Sequence, residues 1–168
     1  MANSTRQSDI GPLQQRLGYQ FHNTQLLRLA LTHKSYAKQN NERLEFVGDA
    51  VLGYLVGSML YRKYPNVQED SLSLMRAELV RGRTLASLAK EIGLAPLLLL
   101  GSGELKSGGR ERHSILANAV EAIIGATHED GGIQACVELV DKLYAQRLEN
   151  LDAQSLKDAK TQLQELLQ

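Results

Sequence analysis

The feature that most constrains this chain is a long apolar run interrupted by a single acid. From Phe46 to Tyr61 the only ionisable group of ordinary acidity is Asp49. A helix that is apolar nearly all round is buried nearly all round, so the run predicts a core helix. Because it contains Asp49 and three glycines, it is a poor candidate for a membrane span.

Acidic residues at the start of this helix share one face. At about 100° per residue, Glu42, Glu45 and Asp49 fall within an arc of roughly 60°. A solvated face would explain them, but the same arc continues with Gly53 and Val56, which solvent does not require. A buried carboxylate costs several kcal/mol unless it is protonated, paired with arginine or bound to a cation. Three clustered acids favour a cation.

Glu121 repeats the anomaly in a second apolar segment. It is the only charge between Ser114 and Thr127, and Asn118 lies three residues earlier on the same face. Glu121 could pair with an arginine from another helix, or the acids could together bind hard cations such as Mg²⁺ or Mn²⁺. The second reading implies two-metal hydrolysis of a phosphodiester, which needs no separate histidine base.

Elsewhere helical spacing recurs and strand signals are nearly absent, so the sequence predicts an all-α fold. Asn23 and Ser114 are the predicted caps of two helices, and Pro65 stops a third. A Gly- and Ser-rich loop is expected at 101–113. The predicted helices are 12–17, 24–32, 41–64, 69–80, 84–92, 114–129 and 133–148.

Composition narrows the class of protein. The 168 residues suffice for one domain and a tail, and 43% hydrophobic content with no Trp and two Phe predicts an aliphatic core. Lys+Arg and Asp+Glu are equal at 19 each, which is weak evidence against RNA binding. The single cysteine, Cys136, excludes an intramolecular disulfide and argues against Cys-based zinc. The polar N-terminus lacks a secretory signal, so a soluble cytoplasmic protein is expected.

The run NERLEFVGD at 41–49 resembles the signature of the ribonuclease III family, usually NERLEFLGD. KDAKTQLQELLQ at 157–168 is similar to the opening of the double-stranded-RNA-binding domain of that family. We therefore expect a catalytic domain at 1–151, then a linker and truncated RNA-binding domain at 152–168. Four more segments are similar in order and spacing: LTHKSY at 31–36, MRAELVRGRTLA at 75–86, LGSGELKSGGRER at 100–112 and SILANAVEAIIGA at 114–126.

The resemblance implies a homodimeric endonuclease that cuts double-stranded RNA with Mg²⁺, for which Mn²⁺ should substitute. It leaves a 5′ phosphate, a 3′ hydroxyl and a short 3′ overhang, and serves the processing of ribosomal and other RNA, including messenger RNA. No membrane partner is implied. By motif, the implied metal ligands are Glu45, Asp49, Asn118 and Glu121.

Matching by motif also assigns further roles. Glu42 and Glu69 take acidic positions that support a second metal or its waters, so the implied catalytic acids are Asp49, Glu121, Glu42 and Glu69. Phe46 resembles an aromatic residue that packs across the dimer interface, and the alternative is an internal core residue.

The sequence departs from the family at two positions. Asn118 stands where the family has Asp, so the site loses one negative charge. We expect weaker metal binding and an inactivated or slower enzyme, unless neighbouring residues compensate. Asn40 replaces a histidine before the signature, a milder change.

Several basic residues and histidines have two interpretations. Lys106, Arg110 and Arg112 are predicted phosphate contacts, against a solvated charged loop. His33 could act as a base, but a structural role is expected, and His22, His113 and His128 are predicted to be incidental. Three further arginines could contact the RNA duplex or pair with acids, and the sequence leaves both possibilities open: Arg76, Arg81 and Arg83.

Three functions compete. The first is an endoribonuclease, active or impaired by Asn118. The second is a protein that binds duplex RNA without cutting it. The third, an unrelated helical DNA-binding protein, would need a basic recognition helix, and none stands out.

Overall fold

The computed structural model describes the backbone from Ala2 to Leu166 and the side chains of residues 10–151. Within that part of the chain the fold is all-helical, as predicted, and one isolated parallel bridge joins Thr32 to Leu99. Two short 3₁₀ turns are present, Ala95–Leu97 and Gly109–Glu111. The α-helices are α1 (Ala2–Leu17), α2 (Thr24–Ala30), α3 (Glu42–Lys63), α4 (Glu69–Val80), α5 (Gly82–Glu91), α6 (Ser102–Lys106) and α7 (His113–Leu166).

The core forms where α3 lies along α7, which is the most extensive helix–helix contact of the fold. Helices α5 and α2 pack on other parts of α7, and α4 packs on α3. Tyr144 is fully buried and donates a hydrogen bond from its hydroxyl to the Leu79 carbonyl oxygen at 2.8 Å. The predicted aliphatic core is confirmed; its fully buried members include Leu13, Leu52, Leu60, Leu85, Leu88, Leu116, Ile123 and Ile124.

The predicted bounds of α3 and α4 agree with the structure to within a residue or so. The predicted cap of α2 is also confirmed, because the Asn23 side chain accepts a hydrogen bond from the Gln25 amide. Helix α2 ends at Ala30, slightly earlier than predicted. The chain then turns so that Thr32 can pair with Leu99.

Three local predictions were wrong. Helix α1 starts at Ala2 and therefore contains Pro12 in its interior. Proline removes one backbone hydrogen bond, but Ile10, Leu13 and Leu17 are buried on one face of the helix, and this burial offsets the loss. Helix α7 starts at His113, so Ser114 lies within its first turn and does not precede it. The 101–113 loop is partly helical, because it contains α6 and a 3₁₀ turn.

Helix α7 breaks at Gly132, which lies between the two helices predicted at 114–129 and 133–148. Gly132 has φ +76° and ψ −173°, a conformation that side-chain-bearing residues rarely adopt. The backbone then stays helical beyond 148 to Leu166. The predicted linker and RNA-binding start at 152–168 lie outside the residues whose side chains are described, and that assignment stays a prediction.

The prediction that α3 is buried nearly all round was only half right. Its inner face is buried, but Phe46 is 80% exposed, Tyr61 74% and Tyr54 64%. Among the described helices, α3 alone is long and apolar enough to cross a membrane. The apolar residues on the buried side of α3 pack against α7 and α4. The exposed half is left as a surface stripe.

Asp130, near the break in α7, holds the segment before α2 in place. Its carboxylate accepts hydrogen bonds from the Tyr19 hydroxyl at 2.7 Å and from the backbone amides of His22 and Asn23, both at 2.8 Å. The Asp130 side chain is only 3% exposed. The buried charge therefore joins the end of the first part of α7 to the segment that leads into α2.

Candidate active site

Two glycines let α3 and α7 approach until their backbones touch. A Cβ placed on Gly48 would overlap the carbonyl oxygen of Glu121, and one on Gly125 would overlap that of Leu44. Larger residues would force the helices apart at both points. The contact therefore positions the acidic start of α3 beside Glu121.

The acids of the two helices repel one another across this contact. Burial raises the pKa of Glu121 to about 7, with the charges of Asp49 and Glu45 acting in the same direction. Burial likewise raises the pKa of Glu45, with added repulsion from Glu42 and Asp49 that Lys34 partly offsets. The charges of Asp49 and Glu45 therefore act on Glu121 across the contact, although Asp49 is exposed and not buried. The predicted role of these acids as metal ligands stays a prediction.

Glu121 has no arginine beside it in the described part of the chain. Among those residues its side chain has no ion pair or hydrogen bond, and every influence on its pKa raises it. The alternative of an arginine partner therefore finds no support. A half-buried carboxylate without a counter-charge favours binding of either a proton or a cation.

Glu42 sits at the edge of the cluster and already has a cation beside it. Its carboxylate lies 3.2 Å from the Lys34 ammonium. The Asn40 side chain accepts a hydrogen bond from the Glu42 amide at 3.1 Å, which satisfies the first amide of α3. This contact gives Asn40 a structural role at the position where the family has histidine.

Glu69 is not among the charges that perturb Glu45 or Glu121. Its carboxylate accepts a hydrogen bond from the Ser73 hydroxyl at 2.7 Å. It lines a groove of about 460 Å³ between α3 and α4, together with Tyr54, Tyr61 and Arg76. Within one chain Glu69 therefore belongs to this groove, and its predicted support of a second metal stays a prediction.

Asn118 lies half-buried on α7, one turn before Glu121. No hydrogen bond to its side-chain amide is present among the described residues. An amide oxygen can bind a hard cation, but it brings no negative charge. The site consequently has one acid fewer than the resemblance to the family implies.

The donor set fits a divalent cation in its chemistry. Glu45, Asp49, Glu121 and Asn118 offer oxygen atoms, the ligands that Mg²⁺ prefers, and the carboxylates repel one another without a cation. As the side chains stand, no three His, Cys, Asp or Glu residues among those described form a group that could hold a metal ion. Side-chain rotation would therefore have to accompany binding.

Two of the three predicted phosphate-binding cations have structural partners. Arg110 donates to the Ala95 carbonyl oxygen, and Arg112 pairs with Glu104 and donates to the Ser107 hydroxyl. Lys106 is exposed and has no partner in the described part of the chain. The predicted phosphate contact of Lys106 stays a prediction.

His33 has a structural role, in line with the prediction. Its Nδ1 atom lies 2.7 Å from the Ser35 hydroxyl, whose oxygen accepts a hydrogen bond from the Gly101 amide. The His33 amide also donates to the Leu99 carbonyl oxygen. These contacts fasten the segment before α3 to the loop that contains α6.

Sequence reasoning missed Lys34 and the two contact glycines. Lys34 lies in the LTHKSY segment, but its distance from Glu42 in the chain hid the ion pair. Gly48 and Gly125 are each in a motif that carries an acid, which was the available signal. The spacing of hydrophobic residues along the chain does not indicate where two helix backbones come into contact.

Comparison with known proteins identifies the fold. Two nuclease-domain structures of ribonuclease III from Campylobacter jejuni align with TM-scores of 0.77 and 0.76 at 43% and 40% identity. They cover 81% and 87% of this chain, and 99% and 97% of those chains. Dicer from Pichia stipitis aligns with a TM-score of 0.62 at 28% identity, over 78% of this chain and 58% of that one.

Sequence relatives agree. "Ribonuclease 3" of Nitrosococcus oceani is 54% identical over 156 residues, which is 91% of this chain and 67% of that protein. "Ribonuclease 3" of Alcanivorax borkumensis is 54% identical over 162 residues, 95% of this chain and 71% of that protein. The ribonuclease-III-like family profile matches residues 23–148.

The fold and the acidic site together define a nuclease domain of the endoribonuclease class, and hence a hydrolase. The chain belongs to the ribonuclease III family.

Proposed function

We propose that this chain hydrolyses phosphodiester bonds in double-stranded RNA with the help of divalent cations, Mg²⁺ or Mn²⁺. The observation that carries the proposal is that the charges of Glu45 and Asp49 act on the half-buried Glu121 where α3 and α7 touch. Burial and the charges of Asp49 and Glu45 raise the pKa of Glu121, and a carboxylate in this situation favours a bound cation. The products would be a 5′ phosphate and a 3′ hydroxyl with a short 3′ overhang.

The chain's residues would divide the work. Glu45, Asp49 and Glu121 would hold the cation through carboxylate oxygens, and Asn118 would add an amide oxygen. When bound, such cations supply a lower pKa for an attacking water and stabilisation of the leaving oxygen. Glu42 and Glu69 would orient water around a second cation. The close contact at Gly48 would hold the oxygen ligands of α3 and α7 at a fixed separation.

The exposed stripe of α3 supports a homodimer. Phe46, Tyr54 and Tyr61 expose more apolar surface than a solvated helix requires, and Leu74 on the adjoining α4 is 73% exposed. One of the two Campylobacter jejuni nuclease domains is described as structurally flexible in a region involved in dimer formation. We propose that the stripe is the dimer interface of this chain. We further propose a cytoplasmic enzyme of ribosomal and messenger RNA processing.

Asn118 favours a second candidate, a protein that binds duplex RNA without cutting it. One missing carboxylate lowers the affinity of the site for a divalent cation. The other acids are all present, which favours an impaired nuclease over a site that has been lost.

A cleavage assay tests both candidates. Labelled duplex RNA would be incubated at low salt with Mg²⁺ and either this chain or its Asn118→Asp variant, with Glu121→Gln as the inactive control. Cutting by Asn118→Asp supports the proposed site, and cutting by both shows that Asn118 is tolerated. Binding by both without cutting supports the binder. Failure of both to bind or cut duplex RNA contradicts the proposed function.

A further inference from the structure

A second groove opens beside the acidic site. It has a volume of about 490 Å³ and lies between the end of α2 and the start of α3. Its lining consists of Leu29, Lys38, Gln39, Asn40, Glu42 and Arg43. Glu42 belongs to both places, because its charge acts on Glu45 in the acidic site. Glu42 and Glu45 lie in the same first turn of α3, so the groove opens next to the acids that would bind the cation.

The free charge of this groove is positive. Lys38 and Arg43 are exposed, and neither side chain has an ion pair or hydrogen bond among the described residues. Glu42 is the one acid in the lining, and Lys34 lies 3.2 Å from its carboxylate. The two unpaired cations thus face a groove whose negative charge is already compensated.

The backbone that holds these cations is tied down. The Asn40 amide group donates to the Lys38 carbonyl oxygen at 3.1 Å. Asn41 is buried, and its side chain donates to the Ala30 carbonyl oxygen at 3.0 Å. The Asn41 backbone amide donates to the Thr32 carbonyl oxygen. The segment that carries Lys38 is therefore held against the end of α2, at a set distance from the acids.

We propose that this groove binds the phosphodiester backbone of the RNA strand next to the bond that is cut, through Lys38 and Arg43. The inference rests on the proposed function and adds the residues that hold the strand. Arginine and lysine recognise phosphate by charge and hydrogen bonding, without reading sequence. Lys38 and Arg43 line the same groove as Glu42, and neither has a partner among the described residues, whereas Arg110 and Arg112 have structural partners.

Binding measurements test the groove separately from cleavage. Lys38→Gln, Arg43→Gln and the double variant would be titrated against a fluorescent RNA duplex over a salt series, without divalent ions and with Mg²⁺. Lys142→Gln is the matched control, since Lys142 donates to the Gln15 carbonyl oxygen and does not line the groove. Thermal unfolding would verify that all variants stay folded.

We expect each groove variant to bind several-fold more weakly than the control. The slope of log affinity against log salt should fall by about one unit per cation removed. If the groove variants match Lys142→Gln in affinity and slope while Asn118→Asp still cuts duplex RNA, the groove inference is wrong and the proposed function stands. If the unmodified chain and Asn118→Asp neither bind nor cut duplex RNA, both are wrong.

Discussion

Gly48 and Glu121 are in direct backbone contact: a methyl group on Gly48 would occupy the position of the Glu121 carbonyl oxygen. At this point there is no room for a side-chain atom between the backbones of α3 and α7. This single relationship sets how closely Glu45 and Asp49 stand to Glu121. It makes the glycine of the acidic signature as important to the site as the acids themselves.

Gly48→Ala should destabilise the fold and weaken metal binding together. Because the obstacle is backbone, the helices must move apart, and overpacking of this kind costs about 1–3 kcal/mol or more. Denaturant unfolding would measure the loss of stability, and calorimetric titration with Mn²⁺ would measure the loss of affinity.

Gly53→Ala is the matched control on the same helix, because a Cβ there has nothing within 4 Å. It should raise stability slightly, by up to about 1 kcal/mol, since alanine favours a helix over glycine. Equal behaviour of the two variants would contradict the backbone-contact account.

Glu121 should make the metal-free protein less stable as pH rises. Its pKa is raised to about 7 in the folded state, so the folded protein binds a proton that the unfolded protein has released. Stability should therefore fall between about pH 4.5 and 7, and Glu121→Gln should remove most of that fall. Unfolding curves in EDTA across this window would measure it. Mg²⁺ should restore stability at high pH in the unmodified chain, and a pH profile unchanged by the variant would rule the assignment out.

Asn118→Asp should increase affinity for Mn²⁺ and Mg²⁺, because a carboxylate adds negative charge to the donor set. Without metal, the new charge should raise the pKa of Glu121 further and steepen the pH dependence. Titration calorimetry with each ion would measure the first effect. Asp141→Asn, which changes an exposed acid elsewhere on α7, serves as the control for unspecific charge effects. Equal metal affinity of the unmodified chain and the Asn118→Asp variant would show that residue 118 is not a ligand.

Asp130→Asn should cost about 2–3 kcal/mol, since a buried carboxylate that accepts several hydrogen bonds becomes an amide with a misplaced donor. Burial opposes its ionised form, but the hydrogen bonds from Tyr19, Asn23 and His22 outweigh burial and lower its pKa. Asp130 therefore stabilises the fold at pH values above the pKa of aspartate in the unfolded chain. This stabilisation is lost as the pH falls through the lower pKa of Asp130 in the folded protein, whereas the effect of Glu121 destabilises the fold as the pH rises. Denaturant unfolding at neutral and acidic pH would distinguish the contribution of Asp130 to stability from that of Glu121. A variant as stable as the parent at neutral pH would contradict this role.

Phe46→Ser should weaken self-association without unfolding the chain. Phe46 is 80% exposed within one chain, so its removal should leave monomer stability nearly unchanged. Sedimentation velocity across a concentration series would measure the shift to monomer. Ile133→Ser is the control, because Ile133 is also a partly exposed apolar residue, 44% exposed, but lies on α7 and not on α3. A dimer that persists unchanged in Phe46→Ser would place the interface elsewhere.

The local pattern of the chain predicted most of the helices and the acids. The spacing of apolar residues and the stop at Pro65 depend on neighbours in the chain, and the structure confirms both for α3. The prediction from Pro12 was wrong, because proline is common in the first turn of a helix, whereas here α1 continues through it from Ala2 to Leu17.

The sequence by itself determined the helical class, the family and the identity of the acids, because these depend on residue type and on spacing along the chain. Only the tertiary structure decided which charges act on one another. The charges of Glu45 and Asp49 act on Glu121, Glu69 lines a separate groove, and Glu42 has a lysine partner. The tertiary structure also left one side of α3 exposed. The physical reason is that burial, charge repulsion and backbone approach depend on residues far apart in the chain, and no local periodicity records those distances.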